Sequence, residues 1–517
     1  MRKWLPLITV CLGTFMLLID VTVVNVALPD MVQELKASFS SLQWVVDAYA
    51  LSLAALVLGT GSIADLLGHR RIYIAGLALF ALSSLVCGIS PNAGCLIAAR
   101  TVQGVGAAAM FATTFALLNS SYTGRDRGTA YGMWGAVAGA AAAVGPIIGG
   151  LLTEFASWRW IFFVNLPISA GAIALCALVL TDVHPPTNSR VDVPGMITFT
   201  GAAGFATYAL IRANEHGWAN ATTYLLFALV AVLLAAFVVV QARSRHAMFD
   251  LALLRSRAFV GVLIGGLLLT FAAFSAFTYS SIWMQTVLGL SPIQAGLTGL
   301  PMSVMAFGVS AMIGRFLHGS RPGPIIGGGL LFIGAGGVLG AILVHGSASW
   351  TALLPGFAVM GVGVGLATPT LGSAAMGAVA PQRGGMAAGA VNTTRQLGFA
   401  FGIAALGSVF ATRAQNSLSD HAVAGSAKLA QAVAGGRSPF LLRAAPDGAR
   451  PALDHVLHAA AVSGVQGALA VSGAVGLVAG ALVLFLMRPA RKSLDEPPPS
   501  HSPKPDGNNP TDELTAV

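Results

Sequence analysis

Apolar residues in this chain come in long runs broken by short polar stretches. The runs last roughly 19 to 25 residues, close to the 20 or so residues at about 1.5 Å each that cross a hydrocarbon core. They fall at about 5–28, 42–64, 72–90, 94–118, 129–152, 160–181, 194–212, 222–242, 258–281, 292–316, 324–345, 350–372, 386–411 and 458–487. None alternates with the two-residue period of a barrel strand, and a backbone in lipid must satisfy its own hydrogen bonds, so each run is predicted to be a helix. The pattern predicts an all-α polytopic membrane protein with about fourteen spans. Six spans, then two, then six divide it into 1–181, an inserted pair with flanking loops at 182–257, and 258–488. Two segments break the rhythm. The stretch 412–457 is expected to be a long outer loop with room for a short surface helix, and the Pro-rich tail 489–517 to be disordered.

Composition agrees with lipid as the solvent: of 517 residues 56% are hydrophobic and 9% charged, where a soluble domain carries about a quarter charged residues. The first run follows a basic start, but it is long, contains Asp20 and lacks a small-residue cleavage site, so it is expected to stay as a helix. A formal charge of +9 does not point to nucleic acid, because the basic residues are scattered through short loops. They indicate orientation instead. Arg70, Arg71, Arg125, Arg127, Arg190, Arg243, Arg245, Arg255, Arg257, Arg315, Arg321 and Arg383 lie in the even-numbered loops, and Arg488, Arg491 and Lys492 follow the last span. The short opposite loops carry little beyond Lys36 and Arg159. The positive-inside rule then places both termini in the cytoplasm of a cell whose inner membrane holds the protein. Cys11, Cys87, Cys95 and Cys176 have neither metal spacing nor a disulfide framework and are expected to be inert buried thiols.

Ionisable groups inside the spans carry the chemical information, since each costs about 2.5 to 3.5 kcal/mol at a helix centre. Asp20 falls about eight residues from the outer end of its span, Asp47 about five and Arg100 about six, which puts the three at similar depth. If their helices line one cavity, Asp20 and Arg100 can pair, and moving Arg100 would change how readily the carboxylate holds a proton. A permanent pair that only fixes helix packing is the competing reading, and Asp47 is near enough to its span end to reach interfacial water. A second cluster, Gly61-Ser62-Ile63-Ala64-Asp65-Leu66-Leu67-Gly68-His69-Arg70-Arg71, closes the second span. Its glycines permit a tight turn, and Asp65 can accept from a helix N-terminus or pair with an arginine such as Arg127, forming a latch on the cytoplasmic side. The loop Gly314-Arg315-Phe316-Leu317-His318-Gly319 echoes it after span 10, as duplicated halves would.

Four ordered segments carry a resemblance. The loop 61–71 resembles the signature between the second and third helices of the major facilitator superfamily, with His69 where arginine is usual. Leu18-Ile19-Asp20-Val21-Thr22-Val23-Val24-Asn25-Val26-Ala27-Leu28-Pro29 and Arg100-Thr101-Val102-Gln103-Gly104-Val105-Gly106 resemble the first- and fourth-helix signatures of its fourteen-span drug:proton antiporter branch. Gly145-Pro146-Ile147-Ile148-Gly149-Gly150 resembles the fifth-helix antiporter signature, followed by Trp158-Arg159-Trp160-Ile161-Phe162-Phe163-Val164-Asn165-Leu166-Pro167. Asn392-Thr393-Thr394-Arg395-Gln396-Leu397-Gly398 is also family-like. The resemblance implies a major facilitator fold of two six-helix bundles plus two inserted helices, proton transfer at the span-4 arginine, and export. Pro146, which lacks a backbone donor, and its glycine neighbours would make a bendable, close helix contact.

The expectation is a non-enzymatic, monomeric carrier that needs no cofactor or metal and works on protons and a small amphiphilic molecule in lipid. Drug or antibiotic efflux, export of an endogenous metabolite or lipid, and proton-coupled uptake remain open, with the fifth-helix signature against the last. Spans 7 to 14 as drawn contain no Asp or Glu, which disfavours dications and favours neutral, zwitterionic or anionic substrates. Candidate cavity residues are Asn25, Gln103, Asn392, Arg395 and Gln396, with Gln285 and Tyr279 the weaker ones. Gly104-Val105-Gly106 lies mid-span, without the strand and turn that a dinucleotide-binding loop requires.

Overall fold

The structure is a computed structural model and describes residues 2–36, 39–180, 191–216, 218–244, 247–316, 320–346, 348–380, 383–421, 425–436 and 438–488. The expected tail 489–517, Arg190, Arg245 and the loop residues Leu317, His318 and Gly319 lie outside the described residues, as do the side chains of Asn25, Pro146 and Arg315.

Fourteen helical segments follow one another: α1 Leu5–Glu34, α2 Phe39–Leu67, α3 His69–Gly88, α4 Ala93–Ser121, α5 Gly124–Phe155, α6 Trp160–Val179, α7 Val193–His216, α8 Ala221–Arg243, α9 Arg257–Thr286, α10 Pro292–Phe316, α11 Pro322–Leu343, α12 Leu353–Gly377, α13 Gly384–Asp420 and α14 Arg450–Leu486. Eleven are long and apolar enough to cross a membrane on length and composition alone, and α10 contains a shorter apolar stretch, Leu300–Ile313. The Gly- and Ala-rich α5 and α7 complete the set. Three segments are interrupted. α6 is broken for one residue at Val164 and α10 at Gly299, while α9 passes through a π-helical turn at Thr270–Phe274.

Several helices outrun the spans drawn from hydropathy. α13 and α14 are 37 residues each, about 55 Å at 1.5 Å per residue against a core of about 30 Å. The stretch expected to be an outer loop is therefore mostly helix: the ends of α13 and α14 with Ser426–Ala434 and Ser438–Ala444 between them. Ala430 and Val433 are buried there. Alanine, glutamine and leucine keep a helix going past the point where hydropathy falls, which is why the apolar run ends before the helix does.

α1 packs on α5 and α6, α2 and α3 on α4; α11 packs on α12 and α14, α9 on α13 and α14. The two groups meet where α2 and α4 contact α13 and where α5 contacts α10 and α12. α7 packs on α8, α2 and α13, so this pair covers the seam between α2 and α13. Small residues let the backbones approach, since lipid tails give helices no hydrophobic drive to associate. A Cβ at Gly334 of α11 would stand 2.5 Å from Leu477 N on α14, whereas one at Gly328 meets nothing within 4 Å. Gly334→Ala should therefore cost about 1–3 kcal/mol and lower the melting temperature of the purified protein, while Gly328→Ala should leave it unchanged or raise it. Equal behaviour of the two variants would contradict this account of the packing.

Candidate functional site

α4 starts from an Asn92 cap, whose side chain accepts from Cys95 N at 2.9 Å. Two turns on, Arg100 points into the first group of helices, where it and Asp20 of α1 are both buried. The guanidinium Nη1 lies 2.5 Å from Asp20 Oδ2 and donates to Gln103 Oε1 at 2.7 Å, while Nε donates to the Val45 carbonyl of α2 at 3.1 Å. Asp20 Oδ1 accepts from Gln103 Nε2 at 3.2 Å and from Asn165 Nδ2 of α6 at 3.0 Å. Both amides also donate to Ser84 Oγ of α3, at 2.6 and 3.1 Å. The face of the Tyr49 ring lies 4.1 Å from the guanidinium carbon, an attractive position for a cation over a π system.

Five helices therefore supply one closed polar knot with a single negative and a single positive charge. Enclosing the pair costs desolvation that mutual attraction and the hydrogen bonds around it offset, and removing one partner of such a pair costs about 3–5 kcal/mol. Gln103, expected among cavity residues, is fully buried with its amide in the knot. Asp47 is half-buried on α2, two residues past Val45. Asn165, Ser84 and Tyr49 were not singled out by the sequence, since neutral polar residues are common in spans and only the spatial arrangement sets these apart. The Tyr49 hydroxyl is buried without a hydrogen-bond partner among the described residues.

On the face that carries the described ends of the chain, Asp65 accepts from Gly385 N at 2.7 Å and Met386 N at 2.8 Å. It thus caps the first turn of α13 from another helix, where orphan N–H groups and the helix dipole favour a carboxylate. A Cβ at Gly61 would sit 2.3 Å from Gly385 O, so only glycine permits this contact. Gly68 turns the chain between α2 and α3 with φ of +100°, a conformation open to glycine at little cost. His69 Nε2 lies 3.5 Å from Asp65 Oδ1.

The expected pairing of Asp65 with Arg127 does not occur. Arg127 donates from Nε to Tyr122 O and from Nη2 to Asn119 O, at 2.8 and 3.2 Å, because it begins α5 beside the carbonyls that end α4. Arg70 serves α6 in the same way, donating to Cys176 O and Ala177 O, while Arg71 is exposed. Asn392 Nδ2 of α13 donates to Phe111 O of α4 at 3.0 Å, and a Cβ at Gly372 of α12 would lie 2.6 Å from the Phe115 ring. These contacts join the two halves on one side of the Asp20 level.

In the fifth-helix segment, a Cβ at Gly145 would lie 1.8 Å from Thr22 Oγ1, and one at Gly149 would lie 3.2 Å from Val23 Cα. α5 thus rests directly on the turn of α1 that follows Asp20, and beyond it a Cβ at Gly150 would meet the Ile293 side chain of α10 at 2.5 Å. In the second half, Gln285 Nε2 donates to Ser281 Oγ on its own helix at 2.9 Å, and Tyr279 Oη donates to Ile403 O at 2.7 Å. Arg395 and Gln396 are half-buried. An open cavity of about 490 Å³ between α5, α9, α10, α11 and α12, lined by Tyr131, Ser256, Ile313, Pro322 and Ser373 among others, includes none of these candidates.

Asp192 was missed because hydropathy assigns it to a loop. It is buried at the start of α7 and accepts from Gly195 N at 2.9 Å, Gln241 Nε2 of α8 at 2.7 Å and Met248 N at 3.1 Å. Gln241 Oε1 accepts from Phe249 N at 2.9 Å. This clasp ties the inserted pair to the chain entering α9. The helices as observed also contain Glu215, Asp420 and Asp454 near their ends, so the expected absence of acids from α7 to α14 applies only to the shorter spans.

The Major Facilitator Superfamily model matches residues 10–403. The puromycin resistance protein pur8 of Streptomyces alboniger is 35% identical over 424 residues, covering 81% of this chain and 84% of the relative. The tetracenomycin C resistance and export protein of Streptomyces glaucescens is 30% identical over 529 aligned residues, covering 98% of this chain and 95% of the relative. The cephamycin export protein CmcT of Amycolatopsis lactamdurans is 35% identical over 413 residues, covering 77% and 83%. Among solved structures, the human organic anion transporter MFSD10 (TETRAN) superposes with a TM-score of 0.60 over 94% of this chain and 99% of that one, and at 14% identity it shows the fold alone. A chain with these helices, this match and these relatives is a multi-pass membrane protein that belongs to the Major Facilitator Superfamily.

Proposed function

We propose that the protein exports small amphiphilic organic molecules across the cell membrane in exchange for protons, by alternating access, with Asp20 as the proton-carrying group. The observation that carries this reading is the knot around Asp20. One carboxylate and one guanidinium are held by groups from α1, α2, α3, α4 and α6, so a change of charge at one atom bears on five helices. The names of the relatives, which are resistance and export proteins for puromycin, tetracenomycin C and cephamycin, support a drug-like cargo. A monomeric carrier without enzymatic activity suffices for this work.

Arg70, Arg71, Arg125, Arg127, Arg243, Arg255, Arg257, Arg321 and Arg383 lie on the face that carries the described chain ends, against Lys36, Arg159, Lys428, Arg443 and Arg450 on the other. The excess of positive charge makes that face cytoplasmic. The Asp65 cap, the Gly61–Gly385 approach and the Asn392–Phe111 bond then form a closed cytoplasmic latch.

A proton arriving from outside neutralises Asp20 and removes its attraction for Arg100, which keeps Gln103 Oε1, Val45 O and the Tyr49 ring as partners. α1 is then free to shift against α4. Because α5 rests on Thr22 and Val23 of α1 and packs on α10 and α12, the shift reaches the second half of the molecule. Opening the latch admits cargo from the cytoplasm or inner leaflet, and loss of the proton inward resets the pair. An exchange that moves one net charge gains about 2.3 kcal/mol per 100 mV, worth a gradient of roughly fifty-fold.

In inverted vesicles energised with a pH gradient, adding a transported antibiotic or dye should trigger proton release with the wild type, and none with Asp20→Asn. Full-rate release from that variant would remove Asp20 from the mechanism. Asp65→Ala should loosen the latch by about 1–2 kcal/mol, read as a roughly 5- to 30-fold faster thiol labelling of Met386→Cys. The host for this assay has Cys11, Cys87, Cys95 and Cys176 replaced by serine. Unchanged labelling would contradict the latch.

A further inference from the structure

α13 meets the first half of the molecule along one stripe. Gly385 approaches Gly61, Gly389 approaches Leu58, and Asn392 bonds to Phe111. Gln396 continues this stripe one turn further on, above the last of those contacts, where it is half-buried. A second stripe faces α9: Gly398 lies against Leu267 O and Gly402 against Phe271 and Ser275. Arg395 lies between the stripes, about 60° round the helix from Asn392. Ser408, which accepts from Trp218 beside α7, is about 140° round from Arg395. The guanidinium therefore projects away from the α7 cover, into the angle between α9 and the first half.

Four features single this position out. No described carboxylate pairs with Arg395, whereas Arg100, Arg159, Arg383 and Arg450 each have one. Among the described residues its guanidinium also has no hydrogen-bond acceptor, although its stem packs by Gly266. Opposite it, α9 takes the π-helical turn Thr270–Phe274, a local irregularity found frequently at functional sites. Side chains at the start of that turn and just after it are spent on the α13 backbone, Thr270 Oγ1 donating to Arg395 O at 2.6 Å and Ser275 Oγ to Phe399 O at 3.2 Å. These bonds fix the backbone of Arg395 and leave its side chain unengaged. Finally, Arg395 is eleven residues into α13, about 16 Å along its axis and well inside the apolar run 386–411, where an uncompensated charge is costly and marks a functional site by default.

We propose that Arg395, with Gln396 beside it, is the subsite that recognises an acidic group, and that the cargo is an amphiphilic organic anion, an apolar ring system bearing a carboxylate. A guanidinium presents a planar fork of donors to both oxygens of such a group, and the bond is charge-assisted on both sides. The Asp20 knot pairs its one cation with its one carboxylate, so it offers the anion no free counter-charge. The two sites divide the work: the first half handles the proton and α13 handles the anion. The inference rests on the export reading for its biological meaning, but the subsite is testable by binding alone.

The test uses the full chain in lipid nanodiscs and three ring carboxylates, naphthalene, anthracene and fluorene, each with its methyl ester. Binding is read as a ligand-dependent rise in melting temperature. The wild type should bind at least one acid about tenfold or more tightly than its ester, the margin expected for one charge-assisted contact. Arg395→Gln should bind acid and ester alike, with ester binding showing that the variant is folded, and Arg395→Lys should recover part of the preference. No acid preference in the wild type, or an undiminished one in Arg395→Gln, overturns the proposal. Proton release is measured separately, and a wild type that prefers acids but releases no protons would sink the antiport reading while leaving the subsite standing.

Discussion

A carboxylate and a guanidinium 2.5 Å apart inside an apolar bundle set the terms for the first six helices. Neither group can be left alone in lipid, so α1 and α4 must keep Asp20 and Arg100 together for as long as both are charged. Around this pair the chain supplies neutral donors and acceptors: Gln103 and Asn165 donate to the carboxylate, the Val45 carbonyl accepts from the guanidinium, and Ser84 holds the two amides. Such a knot is stable in one charge state and unbalanced in the other. The proposed role of Asp20 uses that imbalance, and the contacts of α1 with α5 offer it a route to the second half.

Transmission depends on close backbone contact. Glycine at Gly145 and Gly149 lets α5 lie directly on α1, and glycine at Gly61 and Gly385 lets α2 touch α13. Contacts of this kind have few adjustable side chains between them, so a shift of one helix moves the next. The Asp65 cap adds a directional lock at the end of the bundle that carries the start of α1, since it holds two N–H groups of a helix from the other half. α7 and α8 lie over the seam and are tied to the start of α9 by the Asp192–Gln241 clasp, which keeps the inserted pair in step with the second half.

Hydropathy made the number and order of helices legible, because lipid imposes a length on every apolar run. It misplaced their ends where a helix leaves the membrane, as at Glu34 and along the outer parts of α13 and α14. The charges Asp20 and Arg100 stood out for their cost, and their similar depth along two helices made the pair foreseeable. Asn165, Ser84 and Tyr49 did not stand out, since a neutral polar group in a span is cheap and only the fold brings the three together. The Arg127 pairing was misjudged for a related reason: charge counts do not tell which helix end an arginine will cap. Asp192 sits two residues before the apolar run 194–212 and was hidden by the same boundary.

The central claim is that Asp20 takes up and gives off the proton. Infrared difference spectroscopy on the purified protein reads this directly, as the carbonyl stretch of a protonated carboxyl group that grows as pH falls. The account predicts a titrating band in the wild type that is absent from Asp20→Asn while other carboxyl bands persist. An identical set of titrating bands in both proteins would contradict it, and the Asp20–Arg100 pair would then be a fixed structural tie.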